Sequence, residues 1–142
     1  VGELHVEQAE ADGETAAGLG VSEGVNITRI RRVMCADGRP VAYLLDTLPA
    51  ELLKPEELSA QFGGSVLDFL IARGDPLTVS RAAISATNAT AEVAKALEIQ
   101  RGDVLLQIVS QVYADGGKIV DYTVSYFIPG YFNFHVVRKI SG

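Results

Sequence analysis

One phrase occurs twice in this chain of 142 residues: VMCADGRPVAY over 33–43 and VYADGGKIVDY over 112–122. An Asp-Gly pair between β-branched and aromatic residues predicts a β-hairpin, because the tight primed turn needs the positive φ that glycine adopts at low cost. The sequence therefore predicts two long hairpins, one in each half of the chain.

The similarity between the halves extends beyond the two turns. Each half is predicted to form one unit of a strand, a short helix and a hairpin. Two such units bury hydrophobic faces that neither could bury alone. Residues of the first half recur about 78 positions later, with one extra residue in the second turn: Glu14, Ala16, Leu19, Gly24, Ile30, Ala36, Asp37, Gly38, Val41 and Tyr43 match Glu92, Ala94, Leu97, Gly102, Ile108, Ala114, Asp115, Gly116, Val120 and Tyr122.

The alternation of apolar and polar residues predicts an α+β fold, a mainly antiparallel sheet built from the two repeated units with helices packed on one face. A middle segment has no copy: Pro55 is expected in the first turn of a short helix, and Ser65 is expected to cap a helix that Gly74 ends. Strands are predicted over 4–11, 25–36, 40–48, 77–86, 104–113, 118–128 and 132–140, and the repeated helices over 14–18 and 90–97.

The length fits a single domain over residues 1–142. A net charge of −6 and a pI near 4.8 argue against nucleic-acid binding by this piece, since phosphate neutralisation needs a basic face. Small molecules or other protein surfaces are the expected partners.

The single cysteine, Cys35, excludes an intramolecular disulfide, and the two histidines form no zinc-site spacing with it. No leader peptide or long apolar run is visible, so a cytoplasmic protein without a cofactor is expected. Because the chain opens on Val1 inside a predicted strand, it is expected to be part of a longer polypeptide.

Four segments in a fixed order resemble a known family. They are ITRIRRVMCADGRPVAYLLDTLP, GGSVLDFL, RGDVLLQIVSQVYADGGKIVDYTVSYF and YFNFHVVR. This series, within about residues 3–138, resembles the UTRA domain, the effector-binding domain of GntR-type transcription regulators of the HutC subfamily. The resemblance implies a chorismate lyase-like fold, a small-molecule effector such as a sugar, amino sugar or organic acid, and a homodimer. It also implies a basic winged helix-turn-helix upstream of these residues, which would make the DNA contact.

The resemblance implies an effector site on one face of the sheet, with Arg32, Ser65 and Asp121 as ligand contacts. An arginine fork suits a carboxylate or phosphate, a helix-capping serine adds donors, and an aspartate accepts hydrogen bonds from hydroxyls or an amine. The alternation of side chains in a strand adds Thr123 and Phe127 to the face of Asp121.

Each site residue also has a plain structural interpretation. The arginines of the strand over 25–36 suit a solvated face, Ser65 suits a helix cap, and Asp121 suits an ion pair. Met34 and Ile128 stand where the family often has cations, which favours a neutral or singly charged effector over a sugar phosphate.

Two other functions remain open from the sequence. A chorismate lyase-like enzyme is one, although His5, His135 and Cys35 show no arrangement of nucleophile and base. A ligand-free dimerisation module is the other.

Overall fold

The computed structural model describes residues 4–58 and 65–140. Six strands of these residues form one antiparallel sheet in the order β1-β2-β3-β6-β5-β4. Among the described residues, no helix combines the length and the apolar character needed to cross a bilayer. The elements are β1 (Leu4–Glu10), α1 (Gly13–Leu19), β2 (Asn26–Ala36), β3 (Arg39–Pro49), a 3₁₀ turn (Pro55–Glu57), α2 (Val66–Arg73), β4 (Leu77–Asn88), α3 (Ala91–Leu97), β5 (Val104–Ala114), a second 3₁₀ turn (Asp115–Gly117) and β6 (Ile119–Phe127).

The two halves make the same local hydrogen bonds. Asp12 caps α1 through the Thr15 amide, and Thr90, 78 residues further on, caps α3 through the Val93 amide. Both helices end in a left-handed residue, Gly20 in α1 and its counterpart Glu98 in α3. Backbone bonds recur with them: Ala11 to Val25 and Ala89 to Asp103, Gly24 to Ala11 and Gly102 to Ala89, and Val21 to Ala16 and Ile99 to Ala94.

Each half packs its helix against a strand of the other half. The helix α1 lies on β6, and α3 lies on β3, the strand that pairs with β6 at the centre of the sheet. Tyr43 of β3 is buried with Val93 and Leu97 of α3. Tyr122 of β6 packs under α1 beside Gly18. Neither half therefore has a complete hydrophobic core by itself.

The two hairpin turns differ by one residue, as the sequence predicts. Asp37 and Gly38 have φ of 52° and 77°, which gives the expected primed turn between β2 and β3. The second turn needs positive φ at both Gly116 and Gly117.

Side chains on the two faces of the sheet pack against different helices. The sequence predicts that the helices pack on one face of the sheet, and this holds for α1 and α3. The helix α2 lies on the opposite face, where Val66 and Leu70 are buried with Ile30, Leu48 and Val112. We call this the α2 face and the other the α1–α3 face. The middle segment thus covers what the repeated helices leave open.

Arg73 fixes the end of α2 to the neighbouring loops. Its guanidinium contacts the Glu57 carboxylate at 3.0 Å, the Asp75 carboxylate at 2.7 Å and the Leu52 carbonyl oxygen at 2.9 Å. These bonds tie the end of α2 to the 3₁₀ segment beside β1.

The prediction of a strand over 132–140 is wrong. These residues form only an isolated bridge between Phe132 and Pro129, and Val136, Val137 and Ile140 are more than four-fifths exposed. The apolar pattern is present, but a strand also needs a partner edge, and β6 already lies between β3 and β5.

Gly18 tests the packing of α1 on β6. A Cβ at this position would lie 2.7 Å from the Tyr122 ring, so Gly18→Ala should lower the free energy of unfolding by about 1 to 2 kcal/mol despite the better helix propensity of alanine. Chemical denaturation measures the change. In a Tyr122→Ala background, the same substitution should be neutral or stabilising.

Gly13→Ala is the matched control in the same helix. Its Cβ would meet the flexible carboxylate of Glu23, which can move away. Equal losses of stability at Gly13 and Gly18 would contradict the packing argument.

Candidate functional site

Four of the five predicted site residues share the α2 face. Strand pairing aligns Arg32 with Leu44, and Thr123 with Asp46. Asp121 lies two residues before Thr123 on β6 and Phe127 lies four residues after it, so all three side chains point to the same side. The strand register therefore brings four of the predicted residues to one face: Arg32, Asp121, Thr123 and Phe127.

Asp121 is almost completely buried in the sheet. Its side chain is 1% exposed, and its Oδ1 atom has no hydrogen-bond partner. Its other contacts include a hydrogen bond with the carboxyl group of Asp46 on β3, which is partly exposed. Asp46 is thus the reachable member of a carboxyl pair, and the alternative of an exposed ion pair at Asp121 does not hold.

Burial is the main cause of the pKa shifts of these two carboxyl groups. It raises the pKa of Asp121 well above the ordinary value, and the nearby charge and hydrogen bond of Asp46 raise it further. Burial also raises the pKa of Asp46, although the hydrogen bond from Asp121 and the positive charge of Arg32 oppose that rise. Raised pKa values favour a proton shared between the two carboxyl groups, and a pair that shares a proton can both donate and accept hydrogen bonds.

Sequence reasoning missed Asp46. The signal for it was an acidic residue between Leu44 and Leu48, which point to the same side of β3 and would otherwise form an apolar row. A lone carboxylate in such a row needs a partner, and Asp121 supplies it.

Arg32, Asp46, Asp121 and Thr123 form a polar strip on the α2 face, and the hydroxyl group of Ser110 extends it. The Thr123 and Ser110 hydroxyl groups are hydrogen-bonded to each other across β6 and β5. Phe127 closes one end of the strip, with its ring centroid 4.7 Å from that of Phe132 and 5.2 Å from that of Phe134.

Ser65 forms the predicted helix cap. Its Oγ accepts a hydrogen bond of 3.0 Å from the Asp68 amide, and the next residue, Val66, is buried against the sheet. The hydroxyl group keeps its proton for donation to a ligand. The preceding part of the GGSVLDFL segment lies outside the described residues.

Two adjoining grooves lie on the α1–α3 face. They have volumes of about 630 and 280 Å³, and Arg31 and Glu92 line both. Burial, with Glu14 and Glu92 nearby, raises the pKa of three tyrosines in these walls, Tyr43, Tyr122 and Tyr126. Their hydroxyl groups therefore remain protonated donors at neutral pH.

His5 and Cys35 line the larger groove but stand apart. His5 pairs with Arg31, four residues before Cys35 on β2, a separation of roughly 13 Å along the strand. A general base must lie within hydrogen-bond reach of its nucleophile, so these two residues do not form a catalytic pair. His135 is exposed in the segment after β6.

The carboxyl pair predicts that Asp121→Asn stabilises the fold by an amount that depends on pH. Because folding raises the pKa of Asp121, its contribution to stability is present below the unfolded pKa and is lost as the pH rises through the folded pKa. Asparagine has the same shape and does not titrate. The stability of the variant relative to the wild type should therefore increase from about pH 4 to about pH 8 in denaturation experiments.

Asp115→Asn is the control, because it makes the same chemical change in an exposed turn. Parallel pH profiles for the wild type and Asp121→Asn would contradict the shared proton.

Known proteins share the sequence pattern and the fold of this chain. The UTRA domain family model matches residues 3–133. A GntR-family transcriptional regulator from Enterococcus faecalis V583 aligns with a TM-score of 0.76 and 24% identity, covering 94% of this chain and 96% of that chain. A proposed transcriptional regulator from Streptomyces coelicolor aligns with a TM-score of 0.79 and 28% identity, covering 98% and 96%.

A third structure, the effector domain of PhnF from Mycobacterium smegmatis, aligns with a TM-score of 0.81 and 20% identity, covering 96% of this chain and 84% of that chain. No curated protein matches the chain in sequence. Since the family model spans all six strands and all three helices, the chain belongs to the UTRA domain family.

Proposed function

We propose that this domain senses a small-molecule effector on its α2 face and transmits the signal to a DNA-binding domain of the same regulator. The observation that carries the proposal is the polar strip of Arg32, Asp46, Asp121 and Thr123, which lies on the same face as the buried aliphatic cluster under α2. An unsatisfied buried acceptor such as Asp121 Oδ1 costs about 1 to 3 kcal/mol. Ligand recognition is the role of this polar strip that family membership supports.

The polar strip indicates the kind of effector. Arg32 offers a planar fork for a carboxylate or phosphate, and the Asp46 carboxyl group with the hydroxyl group of Thr123 suits hydroxyl or amine groups. With Met34 at the next position on this face, Arg32 is the single cation of β2 that points to the α2 face. A singly charged organic acid, sugar or amino sugar therefore fits better than a sugar phosphate.

Regulation requires the effector to favour one arrangement of the protein, because a ligand with equal affinity for two states shifts neither. A homodimer in the cytoplasm, of the HutC type, would supply two such arrangements. The DNA-reading part should be encoded upstream of Val1 as roughly 70 to 80 residues of basic helix-turn-helix character.

An enzymatic function finds less support. Chorismate lyase-like chemistry would need a catalytic constellation, and the separation of His5 from Cys35 removes the most obvious one among the described residues. A ligand-free dimerisation module would not account for the carboxyl pair of Asp46 and Asp121 on the α2 face.

Arg32→Ala tests the effector site. A panel of sugars, amino sugars and organic acids is screened by thermal shift, where a ligand at 100 times its Kd adds about 2.7 kcal/mol of stability. For each compound that stabilises the wild type, Arg32→Ala should remove most of the ligand-dependent shift, because the anion loses its bidentate partner.

Arg31→Ala is the matched control. Arg31 is the neighbouring cation on β2, and it points to the α1–α3 face, where it contacts Glu7 at 2.6 Å and lines both grooves; Arg32 borders only the larger groove. Loss of the ligand shift in Arg31→Ala, with retention in Arg32→Ala, would place the effector in the grooves and contradict the α2 face.

A further inference from the structure

The smaller groove on the α1–α3 face lies where the two halves of the chain meet. Leu45 of β3 and Val124 of β6 are paired at the centre of the sheet, and both line this groove. Glu14 of α1 and Glu92 of α3 line it as well, and each is the second residue of its helix. The repeat in the sequence thus brings two carboxylates, one from each half, into a single groove.

A hydroxyl group without a hydrogen-bond partner faces this groove. Thr47 is 6% exposed, lines the groove, and lies two residues after Leu45 on the same side of β3. Among the residues that the structure describes, its side chain makes no hydrogen bond. Since nearly all buried polar groups in folded proteins have a partner, this hydroxyl group is available to a molecule bound in the groove.

Tyrosine rings form much of the surface around this hydroxyl group. Tyr122 and Tyr126 flank Val124 on β6 and line the smaller groove, and Tyr43, which pairs with Tyr126, lines the larger one. The face of a tyrosine ring attracts cations through its quadrupole. The larger groove alone, at about 630 Å³, has the volume of an ordinary small-molecule site.

The two carboxylates make the smaller groove electronegative. Neither Glu14 nor Glu92 takes part in an ion pair within the described part of the chain. Burial is the main cause of the raised pKa of Tyr126, and the charges of Glu14 and Glu92 raise it further, against a hydrogen bond from Gln107 that lowers it. Tyr122 makes a hydrogen bond with the Glu14 carboxylate, which leaves the negative charge of that group in place.

The arginines of β2 do not reverse this balance. The Arg31 guanidinium lies 2.6 Å from the Glu7 carboxylate, and that of Arg29 lies 4.0 Å from the same carboxylate. Burial raises the pKa of Tyr43 most, and among the charges around it the effect of Glu92 exceeds the opposing effect of Arg31. The groove therefore suits a positively charged guest.

We propose that the smaller groove binds a small organic cation that carries an ammonium group and a hydroxyl group, as amino alcohols do. The ammonium group lies between the carboxylates of Glu14 and Glu92 and against the tyrosine rings, and the Thr47 hydroxyl group bonds to the hydroxyl group of the guest. This second ligand site is separate from the proposed effector site, because the two lie on opposite faces of β3 and β6.

Choline tests the site, with its uncharged isostere as the matched probe, in which a tert-butyl group replaces the trimethylammonium group. The chain has five tyrosines and no tryptophan, and three of the five line the grooves, so tyrosine fluorescence reports binding. In titrations to about 20 mM at constant ionic strength, choline should give a saturable change in emission and the isostere should not. A choline titration without saturation, or an equal response to the isostere, would overturn the inference.

Two substitutions locate the bound cation. Glu92→Gln removes a charge, and Thr47→Val removes a hydroxyl group without changing the net charge. Each should raise the choline Kd at least about threefold. Because the Thr47 hydroxyl group has no partner in the free domain, Thr47→Val should not lower the stability measured by chemical denaturation, so its loss of binding would not come from unfolding.

Glu56→Gln is the control for charge alone, since it makes the same chemical change at an exposed position in the first 3₁₀ turn. It should leave the choline Kd unchanged. Equal losses of affinity in Glu56→Gln and Glu92→Gln would show attraction by the net charge of the domain. Wild-type affinity in Thr47→Val would show a cation bound elsewhere, and either result would reject the groove.

Discussion

The pairing of β3 with β6 is the interaction on which the rest of the structure depends. These strands come from different halves of the chain, and each carries a tyrosine that packs under the helix of the other half: Tyr43 under α3 and Tyr122 under α1. The hydrophobic effect therefore stabilises the two halves only when they are joined. The same pairing aligns Asp46 with Thr123, so the central contact of the fold also assembles the polar strip on the opposite face.

Local chemistry in the sequence was sufficient to predict most of this fold. The positive φ of Gly38 and the capping side chain of Ser65 are decided by a few neighbouring residues, and the structure agrees with both. The failures concern interactions between distant residues. The segment 132–140 has the composition of a strand but joins no strand of the sheet, and α2 lies opposite the other helices because they already cover the α1–α3 face.

The candidate site divides in the same way. Residue spacing and family resemblance placed Arg32, Asp121, Thr123 and Phe127 on one face, which follows from period two in a strand. Neither route singled out Asp46, because an acidic residue in the apolar row of β3 gains its importance only from a cross-strand contact with a buried carboxyl group. The depth of Asp121 was equally hidden, since an aspartate in a strand is more often exposed than buried. Burial is a property of the packed sheet, and the sequence pattern around Asp121 resembles that of a solvated strand.

Phe127 joins the proposed effector face to the segment that follows β6. Its side chain lies on the α2 face, and the rings of Phe132 and Phe134 contact its ring edge to face. An effector that packs beside Phe127 therefore contacts an aromatic cluster that includes this segment. It shifts the cluster to a new position only when it binds that position more tightly than another, since differential affinity is the sole source of a population shift.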